Sequence, residues 1–376
     1  MKEILFNRPF AAGTETMYIN EAIQSGLTAG NHQFSKRCNL YFKQKYGFIQ
    51  NLLTTSCTDA LEMAALLLEI KEGDEVIIPS YTFSSTANAF ILKGAHIVFA
   101  DSYPTNPNIN ATTIEALITP KTKAIVVVHY AGLACDMDVI LAIAKKHDLL
   151  VIEDAAQAID SYYKGKPLGS IGDLAAFSFH QTKNIICGEG GMLVVNNPKF
   201  KDRAEIIWEK GTNRASFIRG EIKKYEWIDV GASYLLSDVL AAYLYAQLEQ
   251  LDRIQEKRRK IWGDYFTRLK DLEQFGVQLP NVPDYASSNG ALFYLVLQSL
   301  DQRNQLMAHL KAHQISAVFH YQSLHKSPYY KNKHDGRQLP NADRFTERLL
   351  RLPLYYSLSE DDQNYIINII FKFFKP

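Results

Sequence analysis

From about residue 50 to residue 200, short and nearly continuous apolar runs alternate with longer amphipathic ones. The short runs predict strands at Glu75–Pro79, His96–Asp101, Ala124–Tyr130, Leu149–Asp154, Ala175–His180 and Gly191–Asn196. They are rich in Val, Ile and Phe on both alternating positions, as strands covered on both faces are. The runs between them predict helices at Thr58–Ile70, Ser84–Leu92, Asp138–His147 and Pro198–Lys210. Strand–helix alternation implies an α/β domain around a largely parallel sheet. In such sheets sites gather beyond the carboxyl ends of the strands, which selects Asp154, His180 and the loops after them.

Further on, Ser237–Arg259 reads as one long helix with a charged end, a connector between two domains. The expected division is a large domain over residues 1–249 and a smaller α+β domain over residues 250–376. A chain of 376 residues suits that arrangement. Hydrophobic residues at 47% and charged residues at 22% are ordinary for a globular protein. A formal net charge of +1 gives no electrostatic reason for nucleic acid or an anionic membrane as partner. Cys38, Cys57, Cys135 and Cys187 show no Cys-x-x-Cys spacing, which argues against a disulfide framework or a zinc site. No apolar run approaches the ~20 residues of a membrane span, and the polar start does not read as a signal peptide. The expectation is a cytoplasmic protein.

Chemistry enters with Asp154 and Lys183, each at or just past the end of an apolar strand. A carbonyl-condensing enzyme needs an amine of lowered pKa, and pyridoxal chemistry needs a carboxylate facing the pyridine nitrogen. Gly188-Glu189-Gly190-Gly191 follows Lys183 and lets the backbone pass close to a planar ligand. Singly, Asp154 could be a helix cap and Lys183 a solvated surface residue; the order and spacing together carry the argument. Thr54-Thr55-Ser56-Cys57-Thr58-Asp59-Ala60 precedes a predicted helix and suits phosphate binding at a helix N-terminus. Neither a dinucleotide-binding glycine fingerprint nor a P-loop occurs. His309 and His313, four apart, lack the glutamate of a metalloprotease motif, and His129-Tyr130 is expected to line the site. No metal is expected.

Four motifs carry a resemblance: Ser56-Cys57-Thr58-Asp59-Ala60, Pro79-Ser80-Tyr81-Thr82-Phe83, Glu153-Asp154-Ala155-Ala156-Gln157 and Ser178-Phe179-His180-Gln181-Thr182-Lys183-Asn184. In order and identity they resemble those of the DegT/DnrJ/EryC1/StrS sugar aminotransferases, and the similarity runs over nearly the whole chain. The resemblance implies the aspartate-aminotransferase fold (fold type I) and pyridoxal 5'-phosphate as cofactor. Lys183 would carry the cofactor and move the proton, with His180 near the reacting centre. Asp154 would pair with the ring nitrogen, Gln157 would contact the phenolic oxygen and Phe83 would stack on the ring. Ser56, Ser178 and the amides of Cys57 and Thr58 would hold the phosphate.

Departures occur as well. Many members have Gly at Cys57; many supply an Asn from the partner subunit where Ser233 stands here. Tyr321-Gln322-Ser323-Leu324-His325 has Ser323 where a Tyr-x-Pro-Leu-His motif has Pro. Tyr321 and His325 are expected to contact substrate, and Lys210 and Arg214 its diphosphate. The resemblance further implies a homodimer with shared sites and amino transfer from L-glutamate to a nucleotide-linked keto sugar. The nearest branch acts at C4 of dTDP-4-keto-6-deoxy-D-glucose, forming dTDP-4-amino-4,6-dideoxy-D-galactose for surface polysaccharides such as lipopolysaccharide or enterobacterial common antigen. Amination at C3, an equatorial 4-amine or a UDP-linked sugar are the alternatives. A sugar dehydratase would carry histidine in place of Lys183, and a non-catalytic binder would need an output domain.

Overall fold

The computed structural model describes residues 3–375. Its centre is a seven-stranded sheet built from β1 (Gln50–Thr54), β2 (Glu75–Pro79), β3 (His96–Ala100), β4 (Thr122–Val128) and β5 (Leu150–Asp154), together with β8 (Leu174–Ser178) and β9 (Gly191–Val195). A short hairpin of β6 (Tyr162–Tyr163) and β7 (Lys166–Pro167) lies between β5 and β8. The sheet order is β1-β9-β8-β5-β4-β2-β3. β8, β5, β4, β2 and β3 pair in parallel, while β9 runs antiparallel to both β8 and β1. The carboxyl ends of β1, β2, β4, β5 and β8 therefore share one edge.

The apolar runs predict this burial well. Along β4, Ala124 and Val126 enter the core on one face of the sheet, and Ile125 and Val127 enter the core on the other. Helix Cys57–Leu67 covers the first face; helices Gln33–Tyr46 and Asp238–Glu249 cover the second. A third core gathers Ile261, Tyr265, Leu306, Leu310, Ile366 and Ile370 around the antiparallel pair β10 (Phe293–Val296) and β11 (Leu349–Leu352).

Several expectations need correction. The run Ser237–Arg259 is two helices, Asp238–Glu249 and Leu251–Arg268, because the backbone leaves helical geometry at Gln250. The second helix bridges the cores: Leu251 and Ile254 pack beside the sheet, and Ile261 and Tyr265 in the C-terminal core. Chain ends cross in both directions, since Ile4 joins the C-terminal core while Tyr330, Ala342 and Phe345 pack against the sheet. β4 stops at Val128, so His129 and Tyr130 follow the strand, and β8 stops at Ser178, which places His180 in a loop. Pro198–Lys210 resolves into a 3-10 turn at Pro198–Phe200 and a helix at Lys201–Trp208. β1 and helices Glu15–Gln24 and Gln33–Tyr46 add elements that the alternation pattern did not reach. None of the described helices is long and apolar enough to cross a membrane.

Candidate active site

The shared strand edge opens into a cavity of about 580 Å³. Asp154 ends β5 and is 6% exposed. Its carboxylate accepts the Thr86 hydroxyl at 2.8 Å and the Ala156 amide at 3.2 Å. Burial pushes the Asp154 carboxyl above its usual range, with these bonds pulling the other way. Lys183 stands in the loop joining β8 to β9, and burial holds its ammonium below the usual lysine range. A carboxyl pushed up and an amine pushed down by burial share one cavity.

The loop holding Lys183 is tightly bonded. The Phe179 amide donates to Gly190 and the Cys187 amide to Phe179, both at 2.8 Å. The Lys183 amide donates to His180 at 2.9 Å. Gly188 takes φ +88°, a conformation that favours glycine. The Asn184 amide group donates to Gln255 at 2.8 Å and to the Asn289 carbonyl at 3.0 Å. Asn289 donates in turn to the carbonyls of Gln157 and Ile159, both at 2.8 Å. This buried network ties the Lys183 loop to the loop after Asp154, and its bonded amides restrict both.

Across the cavity, Ser56 caps helix Cys57–Leu67 by accepting the Asp59 amide at 3.0 Å. The amides of Cys57 and Thr58 in the first turn have no acceptor within the helix, and the helix dipole favours an anion there. Thr58, Ser178 and Ser85 bring hydroxyls to the same wall. A Cβ on Gly191 would stand 2.3 Å from the Ser56 carbonyl carbon, so the start of β9 presses directly on this turn. Phe83 lines the cavity with 58% of its surface exposed, an open aromatic face beside Tyr321. Gln157 accepts the Ala131 amide at 2.7 Å and donates to the Tyr321 hydroxyl at 2.9 Å. His180 shares a hydrogen bond with Thr182 at 2.9 Å and faces Glu189 at 3.6 Å.

The cavity thus brings together Ser56, Cys57, Thr58, Phe83, Asp154, Gln157, Ser178, His180, Lys183 and Tyr321. It does not bring in His325, which is 4% exposed and bonded through Nδ1 to the Ser80 hydroxyl at 2.7 Å. His325 is corrected from substrate contact to a buried tether, with Asp343 on its other side at 3.6 Å. His129 is likewise wholly buried: Nε2 meets Glu153 at 2.9 Å and Nδ1 accepts the Cys135 amide, so the imidazole lies behind the wall instead of lining it. Ser233 is exposed outside its own chain's cavity. Lys210 and Arg214 lie outside it too; Arg214 pairs with Glu209 at 3.4 Å. No group of three or more metal-binding side chains occurs among the described residues.

Sequence reasoning missed Thr86, which orients Asp154, and His320, which stacks on Tyr321 at 3.6 Å between ring centroids. Thr86 stands three residues past Phe83 in the first turn of a helix, and that proximity was the available signal. His320 had none.

A buried carboxylate, a depressed amine, an open aromatic face and an anion-binding helix end fit a flat phosphorylated pyridine aldehyde. That chemistry defines a pyridoxal-phosphate enzyme. The model of the DegT/DnrJ/EryC1/StrS aminotransferase family matches residues 11–371, and the chain belongs to that family. The spore coat polysaccharide biosynthesis protein SpsC of Bacillus subtilis is 36% identical over 97% of this chain and 95% of its own. Among solved structures, the putative sugar aminotransferase Spr1654 from Streptococcus pneumoniae in its PLP-form superposes with a TM-score of 0.90 at 25% identity, covering 99% of each chain. DesV of S. venezuelae, in complex with a ketimine intermediate, gives 0.91 at 28% identity over the full length of both. The α/β fold, the sugar aminotransferase class and the dependence on pyridoxal phosphate agree with the sequence reading.

Proposed function

We propose that this chain moves the amino group of L-glutamate to C4 of dTDP-4-keto-6-deoxy-D-glucose, forming dTDP-4-amino-4,6-dideoxy-D-galactose. The observation that carries the reaction class is the enclosed Lys183 amine sharing one cavity with the buried Asp154 carboxylate. Resemblance to the dTDP-sugar branch, within a family whose relatives include a polysaccharide biosynthesis protein, supports the choice of sugar.

When bound, pyridoxal phosphate supplies an electron sink that lets an amino group leave one carbon and join another. The chain's own residues do the rest. Asp154, kept in place by Thr86 and Ala156, would present a carboxylate to the ring nitrogen. The amides of Cys57 and Thr58, with Ser56 and Ser178, would hold the phosphate, while Phe83 would stack on the ring and Gln157 would meet its phenolic oxygen. Lys183 would bind the cofactor and, as a neutral amine, would take up or return at Nζ the proton of the carbon that bears the amino group. His180 lies three residues before it on the same cavity wall.

Ser233, Lys210 and Arg214 form one exposed patch, joined by the bridge between Glu209 and Ser233 and by the Lys210 amide donating to Ala232 at 3.1 Å. Their place outside their own cavity supports a homodimer in which this patch serves the partner's phosphate and the sugar diphosphate. Trp227, 81% exposed beside the patch, offers apolar surface to such a contact. We place the enzyme in the cytoplasm, where nucleotide sugars are made.

Purified protein incubated with L-glutamate and dTDP-4-keto-6-deoxy-D-glucose should release 2-oxoglutarate and the axial 4-amino sugar, identified by NMR. Indifference to this sugar, with turnover of a 3-keto isomer or a UDP-linked sugar, overturns the substrate and leaves the aminotransferase class intact.

A further inference from the structure

Gln157, His320 and Tyr321 line both the large cavity and a second, smaller chamber of about 180 Å³, which shares Lys183 and adds Asn7 and Arg351. In that common wall the Gln157 side chain is held at both ends of its amide. Oε1 accepts the Ala131 N–H at 2.7 Å, and Nε2 donates to the Tyr321 hydroxyl at 2.9 Å. A backbone amide can only donate, so Oε1 faces Ala131 and Nε2 faces Tyr321. One Nε2 hydrogen is thereby taken, and the other has no acceptor among the described residues.

The hydroxyl that Nε2 meets is itself fixed. Tyr321 stacks on His320, with ring centroids 3.6 Å apart and planes 23° from parallel. His320 Nδ1 shares a hydrogen bond of 2.7 Å with the Tyr130 hydroxyl. Tyr130 precedes Ala131, so the contacts close a ring that runs from Ala131 through Gln157, Tyr321 and His320 back to Tyr130. Burial keeps the three ring side chains uncharged, raising the phenols of Tyr130 and Tyr321 and lowering His320. The same turn presses on the Gln157 backbone. A Cβ on Gly132 would stand 2.8 Å from the Gln157 carbonyl oxygen, which also accepts Asn289 at 2.8 Å.

We infer that Tyr321 is a positioning residue, whose hydroxyl locks the Gln157 amide so that the free Nε2 hydrogen is presented to the cofactor's phenolic oxygen. The inference rests on the pyridoxal-phosphate reading, in which Gln157 meets that oxygen. A single bond at Oε1 would leave the amide free to turn about its last side-chain torsion, which has a broad profile. The second bond, to a stacked and tethered ring, fixes the amide plane. A donor aimed at the phenolic oxygen stabilises the charge that oxygen carries once the bound cofactor has lost its proton. Loss of the donor therefore raises the pH at which that proton leaves.

Visible absorbance of the full-length holoenzyme, titrated against pH without substrate, reads that proton directly. Gln157→Ala should raise the midpoint by about one pH unit, the size expected for one hydrogen bond to a charged group. Tyr321→Phe keeps the ring and its stack, and should raise the midpoint by roughly half a unit or more. The double variant should match Gln157→Ala within about 0.3 unit, because a residue acting through Gln157 has nothing left to position. An unshifted Tyr321→Phe overturns the lock. So does a double variant whose shift is the sum of the two single ones, which would make Tyr321 a direct contact of the cofactor. Should Tyr321→Phe fail to fold, Tyr130→Phe decides instead: it frees His320 and should raise the midpoint by less, and an unmoved midpoint overturns the lock. A Gln157→Ala midpoint equal to that of the unsubstituted enzyme overturns the placement of Gln157 at the phenolic oxygen, and the lock with it. An unsubstituted chain that takes up no pyridoxal phosphate overturns the cofactor reading itself, a result distinct from every shift above.

Discussion

The two sides of Lys183 are built differently. On the larger side, Asp154, Ser178, Phe83 and Ser56 each hang on a strand end or helix start beside their motif neighbours. Their orientations come from bonds to nearby backbone, such as Ser56 to the Asp59 amide and Asp154 to the Ala156 amide. On the smaller side, the wall combines Asn7 from the N-terminal segment, His320 from a loop and Arg351 from β11. These pieces meet only because Ile4 pairs beside Ile315 and Val318 pairs with Arg351. The side proposed for the cofactor is built from local contacts; the smaller side is assembled from distant chain, which leaves it freer to change without disturbing the larger one.

The largest expected effect removes what both sides share. Lys183→Ala should lower turnover by more than about a thousandfold, in line with loss of a proton-transfer group, while the protein stays folded. Borohydride reduction of the unsubstituted enzyme followed by peptide mapping should label Lys183; a label on another lysine refutes the assignment.

A smaller effect, confined to the larger side, is expected from Gly191→Ala. Its Cβ would stand 2.3 to 2.4 Å from the Ser56–Cys57 backbone, which cannot yield cheaply. Overpacking of this kind costs about 1–3 kcal/mol, and the displaced turn is the one proposed to hold the phosphate. Equilibrium dialysis should show weaker pyridoxal phosphate retention by Gly191→Ala, and unchanged retention would refute the phosphate role of this turn.

The smallest effect sharpens the electrostatics. Burial lowers the Lys183 pKa from its model-compound value of 10.5, and only the neutral amine attacks the cofactor aldehyde. Reconstitution of the cofactor-free protein should therefore quicken with rising pH by at most about tenfold per unit, then level off before pH 10.5. A rate still climbing at that pH would mean an unshifted, solvated amine.

Legibility followed the same division. Asp154 and Lys183 could be read because an apolar run ends at each, and a parallel sheet collects strand ends on one edge. The break at Gln250 could not be read, because the apolar pattern continues across it and only the packing of two cores decides where the axis turns. His325 was misplaced for a related reason. Its motif lies next to Tyr321 in sequence, yet a short 3-10 turn sends its ring down to Ser80 while Tyr321 faces the cavity.

Local chemistry alone determined that Asp154 ends a strand, that Lys183 follows one and that Ser56 starts a helix, since each depends on residues within a turn or strand of one another. The tertiary structure alone decided that the Arg351 Nε would be buried without a partner in the wall that also holds Lys183, that His320 would stack on Tyr321, and that Ser233 would be exposed outside its own cavity. Those outcomes depend on which distant segments are pressed together when three apolar cores close. Burial of that kind leaves no periodicity in the chain, because a side chain's solvent and counter-ions are removed by residues hundreds of positions away.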